Sequence, residues 1–310
     1  MESPIKHLYK QQLYMYLCTY NCCKHIHVMK KVQKILAATE KHIGNGNYVL
    51  SPLPNEWMEQ ISPFLMLDHF GPALINKNKP FYVPPHPHKG FEPITLLFKG
   101  EVLHKDSLGN TGHLSAGDVQ WMTAGSGIVH SEGVPASFLE KGGEMELIQL
   151  WLNLPRDKKQ HAPRYQDIRS DQFPIVKIGD GSFKVLGGSY NGHTSPVDLL
   201  TPVMILHGRI DAGGKSTIEI PAGYSTSVYT LKGTITTDEY QVPDRHLIWY
   251  KEAGNNIEIS AMHDSEFIVL TGMPIYEPVA SYGPFVMNTK TELIAALEEY
   301  RAGKMGVLQD

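Results

Sequence analysis

The sequence predicts an all-β protein: two similar strand-rich halves in tandem, closed by one C-terminal helix. Three observations carry the prediction. Short apolar runs recur along the chain, separated by turns drawn from 28 glycines and 21 prolines, a spacing that suits sandwiches and small barrels. A weak internal repeat relates the halves. Leu97-Phe98-Lys99-Gly100 aligns with Thr230-Leu231-Lys232-Gly233, and Thr123-Ala124-Gly125 then Ile128 aligns with Glu252-Ala253-Gly254 then Ile257. Only the last stretch changes period: between Thr289 and Arg301, Leu293, Ile294, Leu297 and Tyr300 fall on one helical face.

Residues 1–28 differ in character from the rest of the chain. They hold three lysines against one acid, four tyrosines, and all three cysteines of the protein, Cys18, Cys22 and Cys23. Leu13 to Cys18 is too short and too tyrosine-rich for a signal core, and no small-residue cleavage site comes after it. We expect a disordered or spurious extension ahead of Met29. Residues 30–53 read as a strand-forming lead-in broken by the hairpin signal Gly44-Asn45-Gly46-Asn47. Ser62 to Gly71 reads as an apolar strand running into a turn, and Thr95 to Phe98 as a short strand stopped by Lys99-Gly100. Val102 and His104 alternate, Ser107-Leu108-Gly109-Asn110 and Ala116-Gly117-Asp118 turn, and Val119 to Met122 resumes. Glu146 to Leu154 is one more strand. Pro155 to Pro163 is polar and proline-bounded, which marks a connection between domains 29–160 and 161–310. Strand patterning returns from residue 173 to Thr271. Thr289 with Glu292 can form a capping box, and Gly303 sits where the helix should stop.

The chemistry lies in two dyads, His86-Pro87-His88 and His130-Ser131-Glu132, with 41 residues between them. Side chains at i and i+2 of a strand share a face, so two facing strands would bring three imidazoles and a carboxylate to one point. That donor set suits a divalent first-row metal with room for an exogenous ligand. A single histidine would more often be an ordinary polar residue at a strand end; two dyads in a strand-rich stretch favour the metal. Under the repeat, His86 and His88 become Glu219 and Pro221, while His130 and Glu132 become Ile259 and Ala261. The second half keeps the scaffold without the ligands.

Composition narrows the class. The net charge is −4 with no long basic cluster, against a direct nucleic-acid surface. No run approaches the ~20 apolar residues of a membrane span. Absence of cysteine after residue 23 fits a reducing, cytoplasmic setting.

A doubled β-barrel with His-x-His in its first copy resembles the cupin superfamily, so the halves are expected to be tandem jelly-roll cupins. His86 to Glu92, Asp118 to Glu132, Phe64 to Gly71 and Tyr282-Gly283-Pro284-Phe285-Val286-Met287-Asn288-Thr289 resemble the pirin family, from about residue 30 to 307. Spacing does not decide between Glu92, four residues after His88, and Glu132. The resemblance does, implying His86, His88, His130 and Glu132 as ligands, with Glu92 a supporting or structural acid. It implies one divalent transition metal, iron first, with nickel, manganese, cobalt, copper and zinc as alternatives. Some pirins are quercetin 2,3-dioxygenases, which implies a small aromatic substrate, dioxygen, and Glu132 as a base as well as a ligand. Trp121 and Met122 could face a cavity or the sheet packing. The competing implication is a non-enzymatic, iron-dependent regulator acting through a protein partner, as mammalian members are regarded.

Overall fold

The computed structural model describes residues 28–44 and 47–308. Among the described residues, each half pairs one seven-stranded sheet with one four-stranded sheet, and none of these sheets closes on itself. The large sheet of the first half runs Arg164–Ile168, Val119–Thr123, Phe91–Lys99, Gly143–Asn153, Phe64–Ile75, Asn47–Leu53, Thr39–Gly44. That of the second half runs Val32–Ala37, His246–Tyr250, Ser225–Lys232, Ser265–Gly272, Val203–Ile210, Gly181–Gly187, Ile175–Ile178. The small sheets are Tyr82–His88, Ile128–Gly133, Glu101–Asp106, Thr111–Ser115, and Lys215–Glu219, Asn256–Ala261, Thr234–Thr237, Tyr240–Pro243. The two halves therefore share one strand order, and the repeat seen in the sequence is a repeat of topology.

Each half lends the other an edge strand. Val32–Ala37 lies antiparallel to His246–Tyr250 in the second half, and Arg164–Ile168 lies antiparallel to Val119–Thr123 in the first. The lead-in at 30–53 is thus divided between the halves, and strand 164–168 still belongs to the first sheet. An edge strand exposes unpaired backbone groups, and this exchange covers one edge of each large sheet. Residues 1–27 lie outside the described part of the chain, as does most of the expectation for 1–28. Val28 itself accepts backbone N–H bonds from Asn255 and Asn256.

Three apolar clusters stack through the molecule. The large sheets pack against each other through Phe64, Ile94, Leu96, Trp121 and Leu150 on one side and Ile205, Tyr229, Leu247 and Leu270 on the other. Phe183, Val228, Ile257 and Phe267 fill the second half, while Phe70, Leu97, Val102 and Leu147 fill the first. Residues 91–97 are buried on both faces, so the strand shows no period-2 alternation and buries the polar Glu92 and Thr95 along with its apolar residues. Trp121 is fully buried between the halves, and Met122 packs on Ala124 and Ile128, so neither faces the cavity described below.

After the second half, the chain returns to the first. Ala280–Tyr282 and Phe285–Met287 form a hairpin whose Val286 N–H donates to Lys89 O at 3.0 Å. Helix Lys290–Arg301 comes next. Thr289 caps it by accepting from Glu292 N, Glu292 reaches back to Asn288 N, and Gly303 ends it at φ +72°. The buried face is Leu293, Ala296 and Leu297 against Val129, Phe285 and Met305. Ile294, assigned to that face from sequence, is 60% exposed. Ala296 takes the contact with Leu293 and Leu297, against a small cluster made of Val129 and the C-terminal residues Phe285 and Met305.

Candidate metal centre

Strand Ile128–Gly133 is central to the site. On one side it pairs His130 with His86 and Ile128 with His88; on the other it pairs Glu132 with His104. Period-2 alternation turns His86 and His88 to the same interior as His130, which is why the three imidazoles converge. Candidate ligand nitrogens of His86, His88 and His130 all lie within 4.8 Å of one another. His86 Nε2 and His88 Nε2 are 3.1 Å apart.

The outer nitrogens explain this orientation. His86 Nδ1 lies 2.8 Å from Pro84 O, His88 Nδ1 3.4 Å from Pro284 O, and His130 Nδ1 3.3 Å from His104 Nε2. A carbonyl can only accept, so His86 and His88 carry their proton on Nδ1 and point the Nε2 lone pair inward. His130 Nε2 is buried with no hydrogen-bond partner. Burial also holds all three imidazoles below the usual histidine pKa, most strongly His88 and His130. Neutral rings with converging lone pairs and an orphaned buried nitrogen are the donor set of a transition metal; without a cation, facing lone pairs 3.1 Å apart repel.

Glu132 stands differently from the three histidines. Its Oε1 lies 4.0 Å from His130 Nδ1, and its carboxylate groups with His104 and His130 instead of with His86 and His88. The pairing shifts register between His130 and Glu132, a bulge that re-aims the second side chain of the dyad. Burial lifts its carboxyl to about 7. Glu92 belongs to neither group. It is fully buried, accepts from Thr123 Oγ1 at 2.6 Å, and is also raised to about 7 by burial.

His104 is the residue that sequence reasoning passed over. It is 2% exposed, and burial lowers its pKa to about 4. A histidine at an inward position of the alternating run Val102, His104, Asp106 was the available signal.

A cavity of about 330 Å³ opens onto the three histidines and Glu132. Met66, Phe70, Phe81, Leu147 and Trp151 give it apolar walls, and Lys41, Asp68 and Gln149 supply polar groups. Trp151 lies over Phe91 with centroids 4.3 Å apart. In the second half, the strand bearing Glu219 lines a separate cavity with Pro221. Among the described residues, both groups of three or more potential ligands are in the first half.

Comparison with known proteins agrees with this arrangement. The pirin family model matches residues 46–152, and the pirin C-terminal cupin domain matches residues 205–306. A Pseudomonas aeruginosa protein with the provisional name quercetin 2,3-dioxygenase is 37% identical over 281 residues, covering 89% of this chain and 98% of that one. Human pirin is 33% identical over 283 residues, covering 89% and 94%. The crystal structure of a quercetin 2,3-dioxygenase from Acinetobacter baumannii superposes with a TM-score of 0.86 at 34% identity, covering 91% of this chain and all of that one. Two jelly-roll halves of one topology, a histidine cluster confined to the first, and these matches place the chain in one family: it belongs to the pirins, bicupin members of the cupin superfamily.

Proposed function

We propose that this pirin is a metal-dependent dioxygenase that opens a flavonol of the quercetin type. The observation that carries the proposal is the convergence of three neutral imidazoles at the end of a largely apolar cavity, with a buried carboxylate beside them. His86, His88 and His130 are the proposed ligands, joined by Glu132 after side-chain rotation, around one divalent transition metal with iron as first expectation. A bound metal supplies an electrophilic, redox-active centre for a deprotonated hydroxyketone and dioxygen. Three neutral rings and one carboxylate leave such a site at net +1, which favours an anionic oxygen ligand.

The chain's own residues do the rest. The walls from Phe70, Leu147 and Trp151 suit a flat aromatic body and exclude water. Glu132, a carboxylate lining the cavity beside the three imidazoles, is placed to take the proton of the substrate hydroxyl, a role worth roughly 10²- to 10⁴-fold. The overall reaction takes up one dioxygen, breaks the two ring bonds at the hydroxyl-bearing carbon, and releases that carbon as carbon monoxide. Both oxygen atoms remain in the ester product. The similarity to named quercetin 2,3-dioxygenases supports this substrate class.

The test is aerobic against anaerobic incubation of metal-loaded protein with quercetin, following flavonol absorbance and carbon monoxide. Oxygen-dependent loss with release of carbon monoxide is expected. No turnover with iron, nickel, manganese, cobalt or copper would remove this reading and leave metal-dependent binding of a protein partner ahead.

A further inference from the structure

We infer that His104 is a positioning residue for the metal. It accepts the Nδ1–H of His130 and so keeps the Nε2 lone pair of that ring aimed at His86 and His88. The inference rests on reading those three histidines as ligands, and it concerns what makes one of them competent.

The three outer contacts are not equivalent. His86 and His88 each face a backbone carbonyl, which favours the tautomer with the proton on Nδ1. His130 faces another imidazole, at 3.3 Å. An imidazole nitrogen can donate or accept. If His104 Nε2 donated, His130 would carry its own proton on Nε2 and offer the cation no lone pair. Ligation by His130 therefore requires that His104 accept through Nε2 and hold its proton on Nδ1.

The surroundings of His104 bear on that choice. Its Nδ1 is buried without a close hydrogen-bond partner. The polar neighbour on offer is Gln120, whose amide nitrogen is committed to Asp167 at 2.9 Å, so its oxygen is the group left to face a proton on Nδ1. The Tyr165 ring stands edge-on to His104, with centroids 4.6 Å apart and planes at 76°. Glu132 Oε1 is 4.0 Å from His130 Nδ1, beyond hydrogen-bond reach, so His104 holds that proton alone. His104 is not among the cavity walls, and its hydrogen-bond contact with the three-histidine cluster is the one to His130.

Outer partners of this kind are generally worth 10- to 100-fold in metal affinity. The experiment compares wild type, His104→Leu and His104→Gln as full chains. Co(II) is the probe, its affinity measured by chelator competition and its ligand field by visible absorption, with thermal midpoints alongside. Leucine removes the acceptor; glutamine keeps an oxygen in its place. We expect H104L to bind Co(II) about 10- to 100-fold more weakly with altered visible bands, and H104Q to recover most of the loss. Should leucine not fold, His104→Phe takes its place. Wild-type affinity and spectrum in H104L would overturn the inference, as would equal losses in H104L and H104Q at wild-type thermal midpoints. Wild type that binds no Co(II) would instead overturn the ligand assignment beneath it.

Discussion

Two buried acids separate by role at the level of single residues. Glu132 faces the cavity and Glu92 does not, although both carboxyls are raised to about 7. The sequence shows both acids within reach of the dyads, and their difference comes from a bulge and from the Thr123 contact, neither of which a spacing reveals. The His-x-His dyad was legible because strand alternation leaves no other outcome; His104 was not, because one inward histidine looks like any other. For Glu132→Gln, metal should remain bound more weakly, and turnover of bound enzyme should fall by roughly 10²- to 10⁴-fold in single-turnover assays. For Glu92, the folded carboxyl at about 7 lies above its ordinary 4.5, so the folded state holds the proton more tightly. Its ionisation then costs stability progressively as pH rises from about 4.5 to 7, and the full penalty persists above that. Denaturant titrations of Glu92→Gln against wild type should show the variant gaining, relative to wild type, between pH 5 and pH 8. An unchanged difference across that range would contradict the assigned cause.

Among the elements, the returning C-terminal hairpin contacts the strand of the His-x-His dyad directly. Strand periods were readable in the sequence, whereas the choice of a partner strand more than a hundred residues away was not. Val32–Ala37 carries no local sign that it joins the second half. The Tyr282–Thr289 motif was visible as a family mark, and the structure shows what it does. Pro284 O receives His88 Nδ1–H, and Val286 holds the backbone of Lys89. Beneath it, the buried Lys159 ammonium donates to Gly90 O, Asn153 Oδ1 and Val286 O at 2.7, 2.7 and 3.1 Å. Gly90 sits at φ +87°, and a Cβ there would collide with the Val286 carbonyl. Gly90→Ala should therefore cost more than about 1 kcal/mol in denaturant unfolding and weaken metal binding by displacing His88 from its carbonyl. Unchanged stability and affinity would show that the hairpin does not position the ligand strand.

For the molecule as a whole, the two halves share one interface core and one set of exchanged strands, so they should unfold together. Residues 29–160 expressed alone would lack the strand Arg164–Ile168 and expose Ile94, Leu96 and Leu150. That fragment should aggregate, and a soluble, metal-binding fragment would contradict the account of the interface. The repeat explains why the candidate donors are confined to one half: the second copy retains sheet order, but pairs Ser216 with Ile259 and Ile218 with Ile257 where the first pairs His86 with His130 and His88 with Ile128. The structural counterparts of the dyad are therefore Ser216 and Ile218 and not the Glu219 and Pro221 of the sequence alignment. The most direct test of this central claim is elemental analysis of the purified chain beside His88→Ala and His130→Ala. One transition metal per wild-type chain and none held stoichiometrically by either folded variant is the predicted result. Two metals per wild-type chain, or full occupancy in both variants, would contradict it.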